Sequence, residues 1–328
     1  FASMARKAFI ASEYVNDLKS LGILNDDDIK NFYGSVNSIS KNIQKDLYLV
    51  AKKKITKEKF LHEYGHLRPS TYFINNKNYS KNFENYFNLK DNFEIKNKNF
   101  KLTNKIKIKT EKLLKKNKFN YSSKSFFDHL RFCLEKREEF KLIFTKGIND
   151  IFEYIKVMGK RLNIKSNDLE HLSIDALLNN FNNLSLINLE NIIKENIKLN
   201  KIKLNEQKNI KLPDLIRNSK DIYFYEKQNL KGNFITNKII VGKIKFYKNN
   251  LKSFNNKIVV LENADPGYDF LFSYKIKGLI TKYGGPNSHM AIRCAEYQIP
   301  AIIGMTENYD DLKENQIISI NCFQKKII

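Results

Sequence analysis

The residues with the greatest capacity for chemistry lie between positions 281 and 304. There Thr281-Lys282-Tyr283-Gly284-Gly285-Pro286-Asn287-Ser288-His289-Met290-Ala291-Ile292 runs on to Ile299-Pro300-Ala301-Ile302-Ile303-Gly304. A short β-branched run ends at Thr281, paired glycines permit a tight turn, and Ser288 is placed to cap a helix that carries His289 in its first turn. Unpaired backbone N–H groups and the positive end of a helix dipole disfavour an imidazolium there and welcome a phosphoryl group. The expectation is an outward-facing, neutral, nucleophilic imidazole, with Thr281, Gly284, Gly285 and Ser288 supporting the phosphoryl site. Taken alone, a histidine at a helix start equally serves as a cap or a packing residue. Arg293, four residues on, returns to the same helix face and is either a phosphoryl contact or a solvated arginine.

A second cluster occupies Leu61-His62-Glu63-Tyr64-Gly65-His66-Leu67-Arg68-Pro69-Ser70-Thr71-Tyr72. Two imidazoles, a carboxylate, a guanidinium and hydroxyls within twelve residues suggest a substrate or phosphate pocket built from His62, His66, Arg68 and Thr71. Arg137 and Glu138 join it from a long helix, unless they are an exposed ion pair. The four-residue spacing of His62 and His66 suits a metal, but Gly65 interrupts the helix and a third ligand is lacking, so no metal is expected. His129 and His171 read as ordinary helix residues. Asp269, in Asp265-Pro266-Gly267-Tyr268-Asp269, reads first as a helix cap and second as an orienting partner for the imidazole.

Positioning these groups requires helices first and strands later. Apolar residues recur at helical spacing from Ala5 to Leu18, from Ile29 to Val50, from about Thr56 to Tyr64, from near Thr103, and from Ser122 to Leu162 with a break expected near Gly147. Shorter helices are expected from Asp168, Ser173 and Leu186. Residues 75–102 lose periodicity and read as an irregular excursion, partly ordered by Tyr79, Phe83, Tyr86 and Phe87. Beyond Gly232 come the strand-length runs 239–241, 258–261, 278–281, 301–303 and 317–320, with a helix from Ser288 to about Tyr297. A strand, helix and strand in that space imply a parallel crossover. The expected fold class is therefore multidomain α and α/β: a mostly helical substrate-binding domain over 1–217, a linker over 218–233, and a small α/β domain over 234–328.

The 328 residues suffice for two domains, and a 42% hydrophobic content excludes global disorder. A formal net charge of +23 invites anionic partners. The lysines, however, are dispersed through every segment rather than gathered on one face, so no nucleic-acid partner is expected. Three distant cysteines indicate neither a disulfide framework nor a zinc site. No apolar run is long enough for a membrane span and no secretion signal is present, so a cytoplasmic protein is expected. The helical pattern is already running at Phe1, which suggests the later part of a longer chain.

From about Gly232 to Ile328 the sequence resembles the phosphohistidine swivelling domain of the phosphoenolpyruvate-utilising enzymes. That resemblance makes His289 the residue that takes a phosphoryl group at one domain and delivers it at another. The family usually has arginine six residues after the histidine, where this chain has Ala295, and Arg293 is offered instead. Phe1-Ala-Ser-Met-Ala-Arg6, Tyr64 to Tyr72, Arg137-Glu138 and Ser288 to Arg293 are together similar to a capsule-pathway branch of the family, the L-glutamine kinases. The resemblance implies ATP with Mg2+, products AMP and phosphate, the side-chain amide of L-glutamine as acceptor, and an N-terminal ATP-grasp domain as partner. No Gly-rich phosphate loop in this chain supplies that nucleotide site. Two rival readings are a phosphocarrier or regulatory module without a small-molecule substrate, and a dikinase-like kinase for another acceptor such as pyruvate.

Overall fold

The computed structural model describes residues 2–87, 89, 100–179, 186–208, 210, 216, 218–223, 232–247, 254–286, 288–306 and 308–328. Asn287 of the glycine motif, most of the second half of the expected excursion, and 224–231 of the expected linker lie outside them.

The helices are α1 (Ala2–Ser20), α2 (Asp26–Ser35), α3 (Ile39–Ala51), α4 (Lys57–Tyr64), α5 (Tyr79–Tyr86), α6 (Asn104–Lys116), α7 (Ser123–Arg161), α8 (Ile174–Leu178), α9 (Leu186–Gln207) and α10 (Lys220–Tyr223). Their starts follow from capping chemistry: Thr56, Asn78, Thr103 and Ser173 each accept a backbone N–H three residues on. Asn25 and Asp28 form a reciprocal capping box.

Two expectations are corrected. The stripe from Ile29 to Val50 is two helices, because the backbone is extended at Val36 and Ser38. The break lets them serve different cores, Phe32 and Val36 packing with α1 and α7 while Ile43, Leu47 and Val50 pack with α4 and α5. Conversely, α7 runs through Gly147 without interruption. One glycine costs a helix about 1 kcal/mol, which thirty-nine continuous residues absorb. Within the expected excursion Tyr79, Phe83, Tyr86 and Phe87 are buried, as anticipated.

The C-terminal strands are β1 (Asn233–Ile235), β2 (Ile239–Phe246), β3 (Lys257–Leu261), β4 (Gly278–Thr281), β5 (Ala301–Ile303), β6 (Ile317–Asn321) and β7 (Lys326–Ile327), with α11 (His289–Tyr297) between β4 and β5. They form one sheet in the order β1-β5-β4-β3-β2-β6-β7. Strands β2 to β5 pair in parallel, as the crossover requires, whereas β1, β6 and β7 add antiparallel edges. Residues alternate between the faces. Ile258, Val260, Ile280 and Ile302 face one core, while Val259, Leu261, Leu279 and Ile303 share the other with α3, α4, α5 and α11.

Two compact units result. One gathers residues 1–71, 77–147 and 231–328; the other comprises 72–76 and 148–230. The second has its own core of Ile74, Ile155, Leu162, Ile164, Leu169, Ile193 and Ile197. The first contains every group described below.

Candidate functional site

Strand β4 delivers the chain to Thr281, whose fully buried side-chain oxygen accepts the Gly304 N–H at 3.1 Å. Gly284 has φ +130°, and a Cβ there would lie 2.7 Å from the Ala264 Cβ, so both conformation and space demand glycine. Gly285 faces open space and carries no such demand. Ser288 caps α11 by accepting the Ala291 N–H at 3.4 Å, and His289 is the first helical residue. The local geometry is that read from the motif.

The environment of the imidazole is not. His289 is only 4% exposed and sits between two carboxylates. Asp269 Oδ1 is 2.7 Å from Nε2 and Glu138 Oε2 is 3.2 Å from Nδ1. Ser40, at the start of α3, donates to the second oxygen of Asp269 and lies 3.4 Å from the same Nε2. Burial pulls the His289 pKa down, but the Asp269 and Glu138 charges more than reverse this and raise it above its ordinary value. The imidazole is thus buried rather than outward-facing, and its two carboxylate neighbours favour the cation over the neutral form. The carboxylates outweigh the helix dipole because they are full charges in direct contact. Burial likewise pushes Asp269 and Glu138 up, and His289 reverses it, so both are held below the usual carboxylate range.

Asp269 is not a cap. Asp265 takes that role for the 3-10 turn Pro266–Ser273 by accepting the Gly267 N–H at 2.8 Å, which frees Asp269 to reach His289. Burial lifts the Asp265 pKa to about 6. Two clefts flank the imidazole. Ser38, Arg137, Glu138, Arg293 and Glu296 line one. Glu138, Lys141, Thr145 and Asp269 line the other, which is smaller. Glu138, Lys141 and Thr145 follow one face of α7 at helical spacing. Desolvation lowers the Lys141 pKa despite the Glu138 charge beside it.

The remaining sequence-derived candidates divide. Arg137 is buried and Glu138 half-buried, both lining the cleft beside His289, so they are no exposed pair. Arg293 shares that cleft and donates through Nη1 to Glu296. His66 is buried one layer back, with Nε2 3.3 Å from the Thr145 hydroxyl. His62 is exposed on the other side of α4 and lines neither cleft. Arg68 is buried and lines neither cleft, and its backbone meets the 3-10 turn: a Cβ on Gly267 would fall 1.6 Å from the Arg68 carbonyl oxygen, so only glycine lets these backbones meet. Around that contact the Tyr79 hydroxyl donates to the Gly267 carbonyl at 3.0 Å, Ser70 pairs with Tyr268 at 2.8 Å, and the Thr71 hydroxyl donates to Asp265 at 3.5 Å. The 64–72 stretch therefore seats the turn that carries Asp269.

Sequence reasoning missed Ser38, Lys141 and Glu296 at the clefts and Ser40 beside Asp269 and His289. Only Lys141 left a signal, standing four residues after Arg137 and three after Glu138. Among the described residues no three potential metal ligands converge, and no helix is long and apolar enough to cross a membrane.

Comparison with known proteins bears on the C-terminal part. Residues 254–325 match the family model of the PEP-utilising enzyme mobile domain. The chain is similar to phosphoenolpyruvate synthase of Helicobacter pylori, 33% identical over 97 residues, which are 28% of this chain and 12% of that protein. It is also similar to rifampicin phosphotransferase of Bacillus cereus, 38% identical over 64 residues, 20% of this chain and 7% of that protein. The matches thus span a small fraction of either relative. Both relatives are phosphotransferases, in keeping with a dikinase-like phosphohistidine module in the C-terminal part of the chain.

Proposed function

We propose that this chain is the carrier and acceptor part of an ATP-dependent phosphotransferase in which His289 bears the phosphoryl group. Residues 234–328 are the swivelling carrier, 218–233 its linker, and helical residues within 1–217 the acceptor domain. The acceptor favoured by resemblance is the side-chain amide of L-glutamine, with AMP and phosphate as the other products, in the cytoplasm. The observation that carries the reading is the burial of His289, from the segment that matches the mobile domain, against Glu138 and Ser40 of helices outside that segment. A carrier parked at its delivery site makes such contacts.

In the charging half-reaction an imidazole nitrogen gives up its proton and attacks the β-phosphorus of ATP, the bond to AMP breaks, and water then cleaves the pyrophosphoryl-histidine to phosphohistidine and phosphate. With both nitrogens engaged by carboxylates here, charging requires the imidazole to leave Glu138. In the discharge the acceptor nitrogen attacks phosphorus, the P–N bond breaks and its electron pair returns to the ring. A carboxylate takes the acceptor's proton, and Glu138, on the cleft side of the ring, is better placed for this than His62 or His66. The regenerated imidazole then recovers a proton and becomes the cation that Glu138 and Asp269 hold. Lys141, from the other cleft, offsets the phosphoryl charge during transfer.

ATP and Mg2+ enter at the separate ATP-grasp domain that the resemblance implies. The residues around His289 do not fit a nucleotide site, since the clefts lack a Gly-rich phosphate loop, so no step above runs through the metal. Phosphorus NMR of the full-length protein with ATP and an amino-acid panel tests the reading. Glutamine-dependent AMP formation with a new P–N resonance is expected, and its absence with every acceptor would refute it.

A further inference from the structure

Ser38 occupies the N-cap position of α3, yet its side chain makes no capping bond. The serines at the equivalent positions of α8 and α11, Ser173 and Ser288, both do. The Ser38 hydroxyl is buried and without a hydrogen-bond partner among the described residues. Arg293, 2% exposed, uses Nη1 on Glu296 but leaves Nε equally unpartnered. Both side chains line the cleft that holds Arg137 and one side of His289.

A buried polar atom without a partner is rare and calls for a ligand or water. The guanidinium Nε only donates and a hydroxyl has one proton to give, so the group that satisfies both is an acceptor. Two buried guanidinium groups at the same corner make it an anionic oxygen group. Two sources exist, the phosphoryl on His289 and a carboxylate on the acceptor. Arg293 lies one turn beyond His289 on α11 and travels with it. Ser38 and Arg137 lie outside the residues that match the mobile domain and meet His289 only when it is seated here. Residues reserved for the delivery site serve what is bound there.

We infer that Ser38, Arg137 and Arg293 form a carboxylate-binding corner for the acceptor, a small molecule bearing a carboxylate, such as an amino acid, presented beside His289. The inference rests on the acceptor-transfer reading above and extends it to the group recognised.

The test is rapid-quench kinetics of the full-length protein carrying Ser38→Ala, with glutamine and its α-carboxamide as acceptors. Loss of one hydrogen bond to a charged group should raise the KM for glutamine about tenfold, with kcat nearly unchanged. Ser38→Thr should restore it. The carboxamide should serve wild type and variant equally poorly. Thermal stability should stay level or rise, because the hydroxyl has no protein partner to lose. An unchanged KM, or a fall in stability that accounts for the loss, overturns the corner. So does a changed phosphohistidine lifetime without acceptor, which would assign the donors to the phosphoryl group. If no amino acid discharges His289, the acceptor reading itself falls. The corner is then judged by ligand-induced thermal shifts with glutamine, glutamate and pyruvate: a Ser38-dependent shift supports it and none overturns it.

Discussion

Replacing Glu138 by glutamine removes one of the two charges that hold the imidazolium while keeping an oxygen able to accept from Nδ1. At the 3.2 Å separation of Nδ1 and Oε2, unit charges in an effective dielectric of about 20 attract by about 5 kcal/mol, an upper bound on the pair. The portion that reaches the titration of a buried group with one close counter-charge is about 1–3 pKa units, roughly 1.4–4 kcal/mol. Burial is the largest influence on His289 and acts downward, so losing Glu138, one of the two charges that oppose it, should lower the His289 pKa. The assay is a long-range 1H–15N titration of histidine-labelled protein, with His289→Asn to identify the signal among five histidines. Asp269→Asn should act at least as strongly, since Oδ1 lies 2.7 Å from Nε2. A His289 titration that moves by less than about 0.3 units in Glu138→Gln would mean that the docked pair does not form in solution, and the delivery-site geometry would fall with it.

Full-length protein incubated with ATP should acquire an acid-labile, base-stable phosphoryl group that His289→Asn abolishes; label persisting in the variant, or found on His66, would remove the carrier assignment. Gly267→Ala should destabilise the protein by about 3 kcal/mol in denaturant titration, because the new Cβ would meet the Arg68 carbonyl at 1.6 Å; a neutral change would refute that backbone contact. The pH dependence has a definite sign. Because the folded His289 pKa is raised, its stabilisation is complete below about 6.5 and lost as pH rises through the folded value; because those of Asp269 and Glu138 are lowered, theirs is complete above about 4.5 and lost as pH falls through the folded values. Protection factors of the α11 amides, corrected for intrinsic exchange, should accordingly be highest between those limits and fall on the alkaline side in wild type but not in His289→Asn.

The carrier motif is local, and local rules made it legible. A β-branched run, a glycine forced to φ +130°, an N-cap serine and a histidine at the first helical position are all written in consecutive residues. The capped helix starts at Thr56, Thr103 and Ser173 and the parallel strands were legible for the same reason, since caps and short β-branched runs bounded by turn residues depend on near neighbours. Tertiary packing alone decided the state of the imidazole. Asp269, Ser40 and Glu138 come from 20, 249 and 151 positions away, and only their convergence turns an exposed neutral base into a buried one that favours the cation. The dipole argument weighed a partial charge that two full charges override. The polar wealth of residues 61–72 misled for a related reason: composition does not say that Gly267 will press against the Arg68 backbone, turning an apparent pocket into a seat. The twin edges β1 and β7, three and two residues long, escaped notice because such strands exist only by virtue of the neighbours they pair with.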